Sequence, residues 1–362
     1  MKFKTTDVQV DILTPNGAGG FVGGGTAGAR LLANNMDPGA LRPFIGNDGR
    51  AYITVNTPAG PEVRPVGNAT LRKDEWKQFD EAIVKAAQQR LIGVADLYSR
   101  GLVYRISNGL GTTVLETEVM SDTEDAQVSM DAATRGRRDR PEFGIGYLPL
   151  PIIHKDFQLD IRTLNASRTR GQALDTIQAE QCARKIAEKA ESMLFSGLSS
   201  YTYGGGTIYG YTDYTNRNTY TLTAHWDDSA ASGETILADV LGMIQASIDD
   251  RYYGPWVLYI PTNFQTALGE DFKSNSDKSV RQRLLEVEGL SDIKVADFLA
   301  ADNVLLVQMT SDVVRIVEGL SIQTIQWELE GGMLLNFKVM AIMVPQIRAD
   351  YNNRCGIVHG TK

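Results

Sequence analysis

Cysteine is nearly absent: Cys182 and Cys355 are the two in 362 residues. They lie far apart and in no CxxC spacing, which excludes a disulfide framework and a thiolate metal site and makes a reducing interior the natural compartment. Histidine is as scarce, with His154, His225 and His359 alone, and none sits in a pattern with metal-ligand spacing. No GxSxG elbow, HExxH helix or P-loop occurs, and no carboxylates cluster on one expected helix face, so an enzyme reading would need scattered Asp and Glu to converge in space. No catalytic residue, metal or cofactor is expected. Long apolar runs are missing too. The longest, Val339 to Val344, falls far short of the ~20 residues of a membrane span, and MKFKTTDVQVDILTP carries no signal-peptide core. Excess positive charge is also lacking: 36 Lys and Arg against 44 Asp and Glu leave −8, which argues against a dedicated nucleic-acid binder but allows weak, non-specific contact.

What is present begins with a spine. Gln172 to Ser196 repeats apolar residues at Leu174, Ile177, Cys182, Ile186, Ala190, Met193 and Leu194 with charged residues between them, and Gly197 follows. The pattern predicts one amphipathic helix about 37 Å long, along which the chain folds. With 362 residues of which 43% are hydrophobic, two or more lobes are expected. A second helix is predicted over 71–92, striped by Trp76, Phe79, Ile83 and Leu91 and ended by Gly93. Gly146 to Ser167 alternates as a half-buried strand after Lys155, with His154 read as structural. The stretch 201–223, rich in Tyr, Thr and Gly, reads as hairpin and loop suited to an interface. Beyond it come a helix over 233–250, a buried strand WVLYI at 256–260, a polar loop 270–279, a helix over 280–287, short strands at 293–295 and 304–309, and long strands at 320–328 and 334–344.

Two regions stand apart. Residues 1–70 are glycine- and proline-rich and bury little apolar area, so they predict an arm laid on a neighbouring subunit. Gly23, Gly25 and Gly28 spell GxGxxG there, but no strand runs into the first glycine and no crossover helix leaves the last, so cofactor binding is rejected. The other region, 102–147, reads as a protruding hairpin. Its first half carries Asp122, Glu124 and Asp125 with no basic residue, and its second carries Arg135, Arg137, Arg138 and Arg140. Such blocks are either solvated surface or a charge-complementary clasp onto an adjacent copy.

In this order, the L-x-x-x-x-W-x-x-F-D helix (Leu71, Trp76, Phe79, Asp80), the charged hairpin, PLPIIHKDFQLDIRTLNASRTRG, AEQCARKIAEKAESMLFSG and GPWVLYIPTNFQTAL resemble the encapsulin-like branch of tailed-bacteriophage major capsid proteins. The resemblance implies an α+β, Hong Kong 97-type capsid fold. It implies an N-terminal arm (1–70), the first helix region of a peripheral domain (71–101), an extended E-loop (102–147), the peripheral domain with its spine helix (148–200), an axial domain (201–318), peripheral strands (319–345) and a C-terminal segment (346–362). The axial loop that approaches a symmetry axis would carry Asp271, Lys273, Asp277 and Lys278. The E-loop isopeptide chemistry of some relatives does not transfer, because no lysine occurs between Leu102 and His154. The expected function is an icosahedral phage head around double-stranded DNA, assembled in the host cytoplasm from pentamers and hexamers of itself, with scaffold, portal or decoration proteins as further partners. The alternative is an encapsulin-type compartment around a cargo enzyme. Encapsulin shells usually start near the first helix, so the preceding 70 residues favour the phage head.

Overall fold

The computed structural model describes residues 44–57 apart from 47 and 49, 60–66, 71–88, 91–121, 128, 130, 142–170, 176–228, 231–273, 277–329 and 334–362. The chain divides into two compact units, each assembled from three separate stretches. Residues up to Thr113, Leu150–Leu194 and Arg315–Pro345 make the first, while Val114–Pro149, Phe195–Val314 and Gln346–Lys362 make the second.

The first unit begins with strands β1 (Phe44–Ile45), β2 (Ala51–Thr57), β3 (Gly60–Val66) and β4 (Leu71–Arg72), which form a small sheet in the order β3-β2-β1-β4. Within 1–70, assigned to the arm from composition, Ala51–Thr57 and Gly60–Val66 pair as antiparallel β2 and β3. Helix α1 (Lys73–Gln88) follows and buries Trp76 and Ile83. The expected helix over 71–92 is shorter, Lys73–Gln88, and a second helix that was not expected, α2 (Ile92–Ser99), starts where the first was predicted to stop. Gly93 does not end a helix; it lies in the first turn of α2.

The reason is a side chain from far along the sequence. The residue preceding α2, Leu91, has no polar side chain to cap it. Glu191, only 2% exposed, supplies the missing acceptor: its Oε1 takes the Gly93 N–H at 2.6 Å and its Oε2 the Val94 N–H at 3.1 Å. A carboxylate at a helix N-terminus satisfies orphan donors and complements the helix dipole. Glu191 belongs to the spine helix α4 (Ile177–Ser196), which is shorter than predicted; Thr176 is not helical, and 171–175 lie outside the described residues. Ala179, Cys182, Ala183, Ile186, Ala187, Ala190, Met193 and Leu194 form its buried stripe, whereas Ile177, placed in that stripe from sequence, is 58% exposed. Gly197 ends it at φ +67°, a backbone that glycine adopts without a Cβ penalty.

The main sheet of this unit has the order β5-β15-β16-β8, from β5 (Val103–Arg105), β8 (Ile153–Asp160), β15 (Val314–Leu329) and β16 (Leu334–Ile347). Phe157 and Phe337 sit opposite each other in the β8–β16 register and stack at 4.9 Å, and Trp76 meets Phe337 edge-on at 6.0 Å, seating α1 on this face. A short helix, α3 (Ile161–Arg170), stands where the strand pattern was expected to run on to 167.

The second unit holds a five-stranded sheet in the order β11-β17-β14-β12-β13, from β11 (Asn218–Thr221), β12 (Trp256–Ile260), β13 (Leu290–Val295), β14 (Asn303–Gln308) and β17 (Ile357–Thr361). Helices α5 (Gly233–Asp249) and α6 (Val280–Leu285) pack with it through Ile236, Val240, Met243 and Leu284. Asp239 on α5 is fully buried, yet accepts from the Thr223 N–H and hydroxyl and from Trp226 Nε1, so its charge is hydrogen-bonded from three sides. Both cysteines are buried free thiols, and burial pushes Cys355 up to about 12.

The Glu191 cap sets a stability test. Glu191→Ala strands two N–H groups and should cost about 2 kcal/mol, whereas Glu191→Gln keeps one acceptor and should cost less. Urea unfolding midpoints of the two variants measure the difference, and equal midpoints with the parent chain would remove the cap from this account.

Candidate assembly surface

The E-loop expectation maps to a two-stranded antiparallel ribbon, β6 (Val114–Met120) and β7 (Phe143–Pro149). Side chains alternate across a ribbon, so one face carries Glu116 opposite Tyr147, Glu118 opposite Ile145 and Met120 opposite Phe143. All six are exposed, Phe143 by 64%. The sequence FGIGYLP held the signal for this face, because Gly144 and Gly146 alternate with Phe143, Ile145 and Tyr147.

The base of the ribbon is packed. Strand β10 (Gly206–Ile208) of the hairpin it forms with β9 (Leu198–Tyr203) lies against β7, which is where much of the tyrosine-rich stretch resides. The approach is close enough that a Cβ at Gly206 would run into the Tyr147 carbonyl oxygen. Tyr201 and Tyr203 remain exposed beside it. At the other end, Ser121 N–H donates to the Glu142 carbonyl at 2.9 Å, and the Tyr351 hydroxyl reaches the Glu142 carboxylate at 3.3 Å. Asp122, Glu124, Asp125, Arg135, Arg137, Arg138 and Arg140 lie outside the described residues.

The axial-loop candidates fall on a second feature, a short turn closed by the Asp271–Ser279 bridge and by Phe272 N–H to the Lys278 carbonyl at 3.0 Å. Ser279 and Gln282 cap α6 reciprocally, which fixes the exit of the turn. Lys273 pairs with Glu234 on α5, and Lys278 pairs with Glu286, which also accepts from Arg283 at 2.8 Å. The Lys278 hydrogen bond, then that of Arg283, holds the Glu286 carboxyl below its usual range. Asp271 and Asp277, both exposed, have no ion-pair partner among the described residues. The two lysines are thus internally neutralised, and the unspent charge of this turn is acidic.

Among the described residues, His225, Asp227 and Asp302 bring ligand atoms within 4.8 Å of one another. Asn263 Nδ2, however, donates to both carboxylates at 3.1 and 3.0 Å, so a neutral amide already bridges them. The group is also largely exposed, and it fits an internally satisfied loop junction better than a metal centre. His154 is exposed, 3.8 Å from Asp156, and belongs to no ligand group among the described residues.

Among known proteins, a family model described as "Family of unknown function (DUF6260)" matches residues 67–360. The Type 1 encapsulin shell protein EncA of Myxococcus xanthus (strain DK1622) is 26% identical over 143 residues, covering 37% of this chain and 45% of that relative. The chain thus spans less than half the length of the curated relative it matches. Similar solved structures include the virus-like particle from Pyrococcus furiosus, at 19% identity and a TM-score of 0.56, covering 78% of this chain and 98% of that one. The capsid of Myoviridae phage XM1 is similar at 12% identity and a TM-score of 0.53, covering 69% and 86%. At these identities the structural likeness speaks for fold alone, and the fold is the mixed α/β, Hong Kong 97-type architecture that the sequence resemblance implied.

The close approach at Gly206 makes a local prediction. Gly206→Val should push the ribbon base off β10, cost about 1–3 kcal/mol and hasten proteolytic cleavage of the ribbon. Limited proteolysis with mass mapping reads this out, and an unchanged cleavage pattern would mean that the ribbon does not depend on that seat.

Proposed function

The chain belongs to the DUF6260 family, whose function is unknown, and on the surface described above we propose that this protein is a non-catalytic shell subunit that closes with many copies of itself. The observation that carries the proposal is the ribbon: an apolar and acidic face left open on an element too thin to be stable alone. Between its strands the sequence places an acidic block and then an arginine block, the makings of a clasp onto an adjacent copy. In this reading 102–147 is the E-loop, α4 the spine of a peripheral domain, 201–318 the axial domain, and residues before 44 an arm lying on a neighbour. The turn at 270–279 approaches a symmetry axis, where Asp271 and Asp277 are its free charges.

For the contents of the shell, the sequence relative shifts the first choice. The phage head led on sequence grounds, but the curated relative is an encapsulin shell, which favours a compartment around a cargo enzyme. The likeness in fold to the XM1 capsid supports the second reading, a phage head enclosing double-stranded DNA by weak contact, with scaffold, portal or decoration proteins as its partners. No helix among the described residues is long and apolar enough to cross a membrane.

Expressed alone, the chain should form closed shells visible by electron microscopy. Arg137→Glu with Arg138→Glu should leave the circular dichroism spectrum intact and reduce shell yield at least tenfold. Normal shells from that double variant would overturn the clasp, and a monodisperse monomer from the parent chain at high concentration would count against unaided closure. Co-purifying enzyme or nuclease-protected DNA inside native particles then separates the two contents.

A further inference from the structure

Strand β17 is an interior strand, parallel to β11 on one side and antiparallel to β14 on the other, and Val358 is part of the apolar core. It carries one ionisable group, His359, 6% exposed. Its hydrogen-bond roles can be worked out from its neighbours. Asn303 Nδ2 donates to the Ala300 and Ala301 carbonyls, so its Oδ1 faces His359 Nε2 as an acceptor at 2.7 Å. Nε2 therefore carries the hydrogen, and Nδ1 is left bare. Arg217 Nε donates to that bare nitrogen at 3.2 Å while its Nη1 donates to the Tyr214 carbonyl. The imidazole is full in its neutral form.

We propose that His359 is an acid-operated latch on β17. A proton can enter only at Nδ1, where it removes the acceptor used by Arg217 and sets a second cation against the guanidinium. The surroundings offer no compensation: β11 and β14 place uncharged Thr219 and Leu305 opposite His359. The nearby charged groups are engaged elsewhere, Asp302 with His225 and Asn263, and Lys362 with the Thr223 carbonyl. Burial, then the charge of Arg217, lowers the imidazole pKa from its ordinary 6.5 to about 4. The sign follows from proton counting. Between these values the opened strand binds a proton that the closed one does not, so closure is fully favoured above 6.5, weakens as pH falls toward 4, and changes no further below that. The consequence is selective opening of β17, releasing β11 on one side and β14 on the other, whatever the shell contains.

Hydrogen exchange of the full chain, corrected for intrinsic rates, tests this on peptides covering 216–222 and 355–362. Their opening should rise about tenfold per pH unit from 6.5 to 4. In His359→Gln, whose side chain can keep both hydrogen bonds without titrating, the same peptides should hold a flat profile. Equal pH dependence in both chains would overturn the latch. Should the variant fail to fold, C2-hydrogen exchange of the histidines in the parent chain reads the titration directly: a His359 midpoint below about 5.5 supports the latch, and one at or above it overturns it.

Discussion

Neither main sheet of this chain can be completed by neighbouring sequence. β5 must wait for β15, β8 for β16, and β11 and β14 for β17, and both compact units depend on such returns. Non-local pairing of this kind has a large loop-closure cost, so the gain from burial comes only when distant segments have met. Part of each sheet is accordingly committed to intramolecular work, with Phe157 stacked on Phe337 and Val358 in the core. The elements that pair locally, the ribbon β6–β7, the hairpin β9–β10 and the turn at 270–279, carry no such commitment along their exposed sides.

The same division decided what could be read from sequence. Elements defined by their own period were legible: WVLYI occupies the predicted five residues, and α5 and β14 fall within a residue of expectation. Elements defined by a distant partner were not. The start of α2 is capped by Glu191, about a hundred positions away, and no local pattern near Gly93 announces it. β17 lies in the C-terminal segment 346–362, where no strand was predicted, because five residues containing a histidine and a glycine have little strand signal. They become a strand because β11 and β14 leave a slot between them.

The assembly surface was legible in part for a related reason. The charge blocks in 116–142 are a compositional signal and could be seen at once, but composition does not say what they touch. The apolar side of the ribbon follows from register, and register comes from pairing Glu116 with Tyr147, which one strand alone cannot reveal. The lysines of the 270–279 turn show the same limit. Sequence gives their charge alone, while the fold pairs them with Glu234 and Glu286.

A thin ribbon with an open apolar face also constrains how strong any single contact between copies can be. Two strands alone are marginal in water, and here β10 supports one end while Tyr351 tethers the other. Whatever covers Phe143 and Ile145 must offset the lost translational and rotational freedom of association before any affinity shows. Each ribbon contact is then individually weak. Strength has to come from repetition, since a copy held at several points meets each further contact at high effective concentration. In the proposed shell, weak and repeated contacts would let misplaced copies dissociate before closure, the kinetic property that a large closed assembly requires of its subunit.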